Sequence, residues 1–249
     1  MTQAELIKKL RALDWGDEKK LRDRVLKSVS SYPVLRRAGK KAKQGSTKLG
    51  GKPDLPAGWS WPGEDLVFVA QINLAECAPA DRSGLLPRKG ILYFFAIEDE
   101  GSGRWRSRPR EVRVLYHEGK LDDPRPVANP DADTMDCGEA LQEYRAVAKE
   151  AFETMPFDDE EIHDRVDRIL GWDRAEKSRL LPRYHRFQED DAAAITGHLL
   201  LLQVSGEDLE RQGDTHSIYG ENALYFFIKK RDLEKRRFGA VKLWVGGGS

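Results

Sequence analysis

Cysteine is nearly absent: Cys77 and Cys137 are the two in 249 residues, far apart and without a C-x-x-C partner. That excludes a disulfide framework and a cysteine zinc site, and it points to a reducing, cytoplasmic setting. Long apolar runs are missing, since none approaches the roughly 20 residues that span a bilayer, so no membrane span is expected. No secretory leader is expected either: Thr2, Gln3 and Glu5 open an alternation of Leu and Lys from Leu6, the pattern of an amphipathic helix. The five histidines, His117, His163, His185, His198 and His216, make no HxH or HExxH pair, and no serine stands in a G-x-S-x-G elbow. No catalytic residue, metal ligand or cofactor is therefore assigned.

Net charge is also lacking, with 42 basic residues against 42 acidic, yet the charges are segregated. Residues 1–63 hold 15 Lys/Arg and 6 Asp/Glu, a balance of +9, whereas residues 117–167 hold 5 and 16, a balance of −11. Two such halves can face each other within the fold, or each can attract a partner of opposite sign.

What the chain does have is aromatic β-strand sequence, used twice. Leu66-Val67-Phe68-Val69-Ala70-Gln71-Ile72-Asn73 is followed, after a Pro/Gly loop, by Ile91-Leu92-Tyr93-Phe94-Phe95-Ala96-Ile97; near the C-terminus Leu199 to Val204 is followed by Ala223-Leu224-Tyr225-Phe226-Phe227-Ile228. A shift of 132 positions superposes Gln71 on Gln203 and Leu92-Tyr93-Phe94-Phe95 on Leu224-Tyr225-Phe226-Phe227 without a gap, although 5 of the 31 positions from Val69 to Asp99 are identical. This spacing predicts an internal duplication. The fold expected is α+β and β-rich: two strand-loop-strand units forming one roll or sandwich-like core, with peripheral helices and a helical insert; a mainly β architecture is the alternative.

The expected layout is a single domain over residues 1–249. Leu6, Ile7, Leu10 and Leu13 fall at helical spacing, Asp17 can cap a second helix carrying Leu21, Val25, Leu26 and Val29, and this N-terminal pair spans 1–33. Arg36 to Lys52 has no periodicity and reads as a loop. The first β unit covers 47–117 and the second 198–245. Between them Leu141, Tyr144, Val147, Ala148, Ala151 and Phe152, then Ile162, Val166, Ile169 and Leu170, predict a helical insert over 138–181. Gly246-Gly247-Gly248-Ser249 reads as a flexible tail over 246–249.

The run Thr47-Lys48-Leu49-Gly50-Gly51-Lys52-Pro53-Asp54-Leu55-Pro56, then Trp61-Pro62, then Leu66 to Glu76, resembles the signature of the YwqG-like bacterial family. Gly90 to Phe95 matches that family's Phe-Phe strand and Leu200 to Gln203 its Leu-Leu-Leu-Gln strand. Two stretches depart from the pattern: Tyr219-Gly220-Glu221 stands where Trp-Gly-Asp is usual, and His185-Arg186-Phe187-Gln188 replaces a longer His-to-Pro stretch. The resemblance implies a β-rich roll with peripheral helices and no assigned activity, and its surroundings of toxin and immunity genes suggest a protein-binding role.

Several motifs compete for function. Gln71 and Gln203 end equivalent strands, where a buried amide can clamp loop backbones or orient a ligand. Ser46 to Pro53 nearly matches a phosphate-binding loop, but Ser46 replaces its first glycine and Pro53 its hydroxyl. Glu160 and His163 have E-x-x-H spacing in a single copy, which fits a solvated acidic helix better than a metal site. Trp59, Trp61, Trp105 and Tyr219, with Lys48, Lys52, Arg104, Arg106 and Arg108, could stack nucleic-acid bases.

The leading expectation is a non-enzymatic cytoplasmic immunity or regulatory protein that binds a protein partner, such as a basic toxin domain, through Asp158, Asp159, Glu160, Glu161, Asp164 and Asp167. The second is an enzyme or small-ligand binder with a cleft between the repeats, lined by Trp59, Trp61, Gln71, Asn73, Gln203, Tyr219 and Glu221. Nucleic-acid binding through the basic N-terminal segment is third and least favoured.

Overall fold

A computed structural model describes residues 1–39, 41–97, 106–108, 110–119, 121–130, 141–157, 159–171, 178–183, 195–210 and 223–246. The strands are β1 (Ser30–Gly39), β2 (Lys48–Leu49), β3 (Asp54–Leu55), β4 (Leu66–Asn73), β5 (Ile91–Ile97), β6 (Val112–His117), β7 (Arg125–Pro126), β8 (Tyr144–Glu153), β9 (Arg179–Leu180), β10 (His198–Val204), β11 (Ala223–Lys229) and β12 (Lys242–Gly246). Ten of them form one antiparallel sheet in the order β12-β11-β10-β9-β1-β8-β2-β4-β5-β6, and β3 pairs with β7 apart from it. The helices are α1 (Gln3–Ala12), α2 (Lys19–Ser28), α3 (Leu74–Cys77), α4 (Glu160–Leu170) and α5 (Lys230–Glu234).

The aromatic strands pair as hairpins with matching registers. In the first hairpin Phe68 lies opposite Phe95 and Gln71 opposite Tyr93, with a register shift between Phe68 and Ala70. In the second Leu200 lies opposite Phe227 and Gln203 opposite Tyr225, with the shift between Leu200 and Leu202. Even the irregularity recurs 132 residues on. The short inner strand follows suit, Lys48 lying beside Gln71 and Arg179 beside Gln203.

The sheet order is symmetric about the central pair of β1 and β8. Along the chain β1, β2, β4, β5 and β6 come first, then β8 to β12, yet β1 lies against β9 and β8 against β2. Each half thus lends its first strand to the other. The sheet then curls until its ends meet: Arg106, in the approach to β6, exchanges two backbone hydrogen bonds of 2.8 Å with Leu243 of β12. Inside the curl Phe94 and Phe226 pack edge to face, 5.1 Å between centroids. The main core, with Val69, Ile72, Leu92, Leu201, Leu224 and Leu243, fills the space between the two halves. Smaller clusters cover the outer faces, one around Phe68, Tyr93 and Phe95, the other around Leu200, Tyr225 and Phe227.

Two expectations are corrected here. Residues 138–181 are not a helical insert, because Tyr144–Glu153 is strand β8 and only Glu160–Leu170 is helical among the described residues. The spacing of Tyr144, Val147, Ala148, Ala151 and Phe152 suits a helix, but β8 finds a ten-residue partner in β1, with registers from Ser30 opposite Glu153 to Gly39 opposite Arg145. Tertiary pairing overrides local periodicity. Arg36 to Gly39, read as loop, belongs to that same partner strand. Pro33 is tolerated within β1 because its missing N–H falls on the β9 side, as the Leu35 N–H does, and there the pairing among the described residues is confined to Val34 opposite Arg179.

The N-terminal helices form where expected. Thr2 and Glu5 make a reciprocal capping box on α1, while α2 is preceded by Glu18, without a side-chain cap, and not by Asp17. Leu6, Leu10, Trp15 and Val25 join Phe152 of β8 and Ile162 and Val166 of α4 in a satellite core. The basic and acidic segments therefore share one apolar seam.

Cys77 ends α3 in the main core, and burial pushes its thiol up to about 12. Iodoacetamide at mildly alkaline pH should leave Cys77 unmodified in the native protein and alkylate it in denaturant, as read by peptide mass spectrometry; native labelling of the Cys77 peptide would contradict this burial.

A lysine-rimmed cleft beside Gln71

The Gly50-Gly51 turn that follows β2 brings three distant segments together. Both glycines have positive φ, 62° and 75°. A Cβ on Gly50 would lie 2.4 Å from the carbonyl oxygen of Gln142, and one on Gly51 would lie 2.7 Å from the Glu143 Cβ, so this close approach requires glycine. The turn's N–H groups are used internally, Gly50 to Val69 O at 2.9 Å and Gly51 to Leu141 O at 2.8 Å. They do not cradle a phosphate.

Beyond the turn Asp54 is buried at the centre of a polar network. Its Oδ2 accepts from Gly45 N–H at 2.9 Å and Gln71 Nε2 at 3.0 Å, and faces Lys48 Nζ at 3.1 Å. Gln71 acts as a clamp: Oε1 accepts the Asp54 N–H at 2.8 Å while Nε2 also donates to Ser46 O at 2.8 Å. Tyr93 donates its hydroxyl to Asp54 O at 2.8 Å, and burial, aided by the Asp54 charge, holds that phenol well above its ordinary pKa. Lys48, its side chain 4% exposed, reaches on its other side to Glu143 Oε2 at 3.4 Å. Glu143 Oε1 in turn accepts the Ala42 N–H at 3.0 Å.

Above this network opens a cleft of about 460 Å3, lined by Lys41, Gln44, Lys48, Lys52, Asp54 and Glu143 among others, within the usual size range of small-ligand sites. Three lysines face two carboxylates. Both carboxylates already hold donors, whereas Lys41 and Lys52 are exposed and form no ion pair among the described residues.

The expected site residues are dispersed. Gln71 lies in this network, and Asn73 beside it donates to Gly45 O at 2.8 Å and caps α3 through Ala75 N–H at 3.0 Å. Trp59, 36% exposed, sits against Tyr93 and His117, with centroids 6.2 and 5.8 Å away. Trp61 packs on Phe95 at 5.2 Å and donates to Leu66 O at 3.1 Å. Gln203 is on the outer face of the other half, beyond the main core, and its buried Nε2 has no acceptor among the described residues. Tyr219 and Glu221 lie outside the described residues, as do Arg104 and Trp105 of the proposed base-stacking set. Arg106 of that set is buried at the sheet closure.

Of the acidic set, Asp158 lies outside the described residues. Asp159 caps α4 through Ile162 N–H at 3.0 Å, Glu161 pairs with Arg165, and Asp167 is buried 3.4 Å from His163. Glu160 and Asp164 are exposed. Helix capping and local pairing thus account for half the set.

Lys48, Lys52 and Gln71 stand out in the sequence, whereas Glu143 closes the site from 95 residues away and carries no local signal. Asp54 stood in the Gly-Gly-Lys-Pro-Asp run, where the glycines were the available cue. A family model described as "Domain of unknown function (DUF1963)" matches residues 47–245, beginning at Thr47 of this same run. No curated protein matches the chain.

Proposed function

We propose, from the premise that this chain belongs to the DUF1963 family of domains of unknown function, that it is a non-catalytic binding protein whose lysine-rimmed cleft takes an acidic group of a protein partner. One observation carries this reading: the cleft's carboxylates are occupied by Lys48 and backbone N–H groups, while the charges of Lys41 and Lys52 stand at its mouth uncompensated among the described residues. An anion about 4 Å from such an ammonium gains about 4 kcal/mol at an effective dielectric near 20, before desolvation is subtracted. Its approach is steered by the same field and weakened by salt.

The opposite polarity, a basic partner such as a toxin domain held by α4, is the second reading, favoured by exposed Glu160, Glu161 and Asp164 on the outer side of that helix. Fluorescence anisotropy with labelled hexaglutamate and hexalysine separates the two. The cleft reading expects hexaglutamate to bind with affinity falling as salt rises, and a Lys41→Gln/Lys52→Gln protein to bind about tenfold more weakly, some 1.4 kcal/mol. A Lys8→Gln/Lys9→Gln protein, with the same change in charge on α1, should bind as the parent does. Hexalysine binding abolished by Glu160→Gln/Glu161→Gln/Asp164→Asn, with no hexaglutamate binding, would replace the first reading by the second.

The proposal extends to origin and setting. An internal duplication of the five-strand unit is supported by the shared registers and bulges of the two hairpins, and a cytoplasmic location by the scarcity of cysteine.

A further inference from the structure

Glu143 holds the position in the cleft best suited to a carboxylate. One of its oxygens takes the Ala42 N–H at 3.0 Å and the other faces the Lys48 ammonium at 3.4 Å. That pair, a backbone N–H and a buried cation, is a ready-made receptor for a planar monoanion, and here the chain's own side chain occupies it. The seat is loose. The Lys48 contact is long for a charge-assisted bond, and the Glu143 side chain is 26% exposed against 3% for Asp54, whose contact with the same Nζ is 3.1 Å. The backbone around it is tied instead, with Gln142 N–H donating to Glu210 O and Gly51 N–H to Leu141 O, both at 2.8 Å. The side chain, lying across Gly51, is the part that can move.

We infer that Glu143 is a built-in competitor for the ligand: a carboxylate of the partner takes its place on Ala42 N–H and Lys48 Nζ, and the displaced Glu143 side chain turns out to solvent. This rests on the reading of the cleft as an acid-binding site. A carboxylate fits better than a phosphate, because Asp54 already shares the same ammonium and its repulsion of a dianion exceeds that of the monoanion now seated there. Internal competition sets affinity by the difference between two carboxylates on one receptor, so an acidic partner must offer further contacts, to Lys41 and Lys52, in order to win.

The test is labelled hexaglutamate binding to the full chain carrying Glu143→Gln, with Glu160→Gln on α4 as the control of equal charge. Glu143→Gln should tighten binding about tenfold and the control should leave it unchanged. If Glu143→Gln melts without a cooperative transition, Glu143→Asp, which draws the carboxylate back from Lys48, gives the same comparison with a smaller gain. Glutarate should compete with the peptide better in the variant than in the parent, and tripolyphosphate should not share that gain; an equal gain for tripolyphosphate would overturn the carboxylate assignment. Equal peptide affinity in parent and variant, with Lys41→Gln/Lys52→Gln still weakening it, would overturn the inference and leave the cleft reading standing. Absence of peptide binding to both proteins would overturn both.

Discussion

Asp54→Ala will cost the fold about 3–5 kcal/mol, because it removes the nearer of the two carboxylates that face the buried Lys48 ammonium and leaves only the longer Glu143 contact. Lys48 has its side chain 4% exposed, and Asp54 Oδ2 is its nearest countercharge at 3.1 Å. The same oxygen holds the Gly45 N–H and the Gln71 amide, so the substitution also leaves the buried Gln71 amide one acceptor short and frees the half-buried Gly45 N–H. The measurement is a urea titration followed by tryptophan fluorescence and circular dichroism, reading the midpoint at constant slope. Lys48→Met/Asp54→Asn should cost clearly less than Lys48→Met and Asp54→Asn added, since the neutral pair leaves unmatched only Glu143, whose side chain is 26% exposed, with a coupling of about 1–3 kcal/mol. A cost below about 1 kcal/mol for Asp54→Ala would mean that the pair is solvated and that the cleft floor is not as described.

Phe94→Ala will have an effect of similar size, about 3–5 kcal/mol, through the cavity it leaves. Phe94 is fully buried and meets Phe226 from the other half at 5.1 Å. Phe226→Ala should cost as much, and the double variant should fall short of additivity by about 0.5–1.5 kcal/mol, the usual strength of an aromatic pair beyond its buried area. This cycle probes the architecture itself, for the two phenylalanines touch only if the sheet curls so that its end hairpins share a core. Strict additivity, or unfolding in two separate transitions, would show that the halves stand apart.

The parts of the fold that were legible in the sequence are those whose signal is local and dense. The strands around Phe68, Tyr93, Phe94, Tyr225 and Phe226 announce themselves by unbroken aromatic and aliphatic runs, which suit strands covered on both faces. The N-terminal helices were readable from an apolar stripe, but not their caps: the Thr2–Glu5 box of α1 went unread and Asp17 does not cap α2. The central pair was not. Tyr144 to Phe152 satisfies helical spacing, and Arg36 to Gly39 has no pattern, yet each completes the other as a strand across more than 100 residues of chain. Hydrophobic periodicity in one segment carries no information about a partner so distant in sequence.

The site divides in the same way. Gln71 could be read as a clamp from its place at the end of an apolar strand; that Lys48 is a buried cation and not a rim charge depends on Asp54 and Glu143 arriving from either side.

By itself, then, the sequence determined that two aromatic strand-loop-strand units exist and that amphipathic helices stand at the N-terminus, because unbroken apolar runs and helical stripes are written in neighbouring residues. The tertiary structure alone decided that the halves exchange their first strands, that the acidic stretch is part strand and part capped helix, and that Lys48, Asp54 and Glu143 meet under one cleft. Those outcomes depend on which surfaces become each other's solvent when the sheet closes, and no local stretch of chain records that choice.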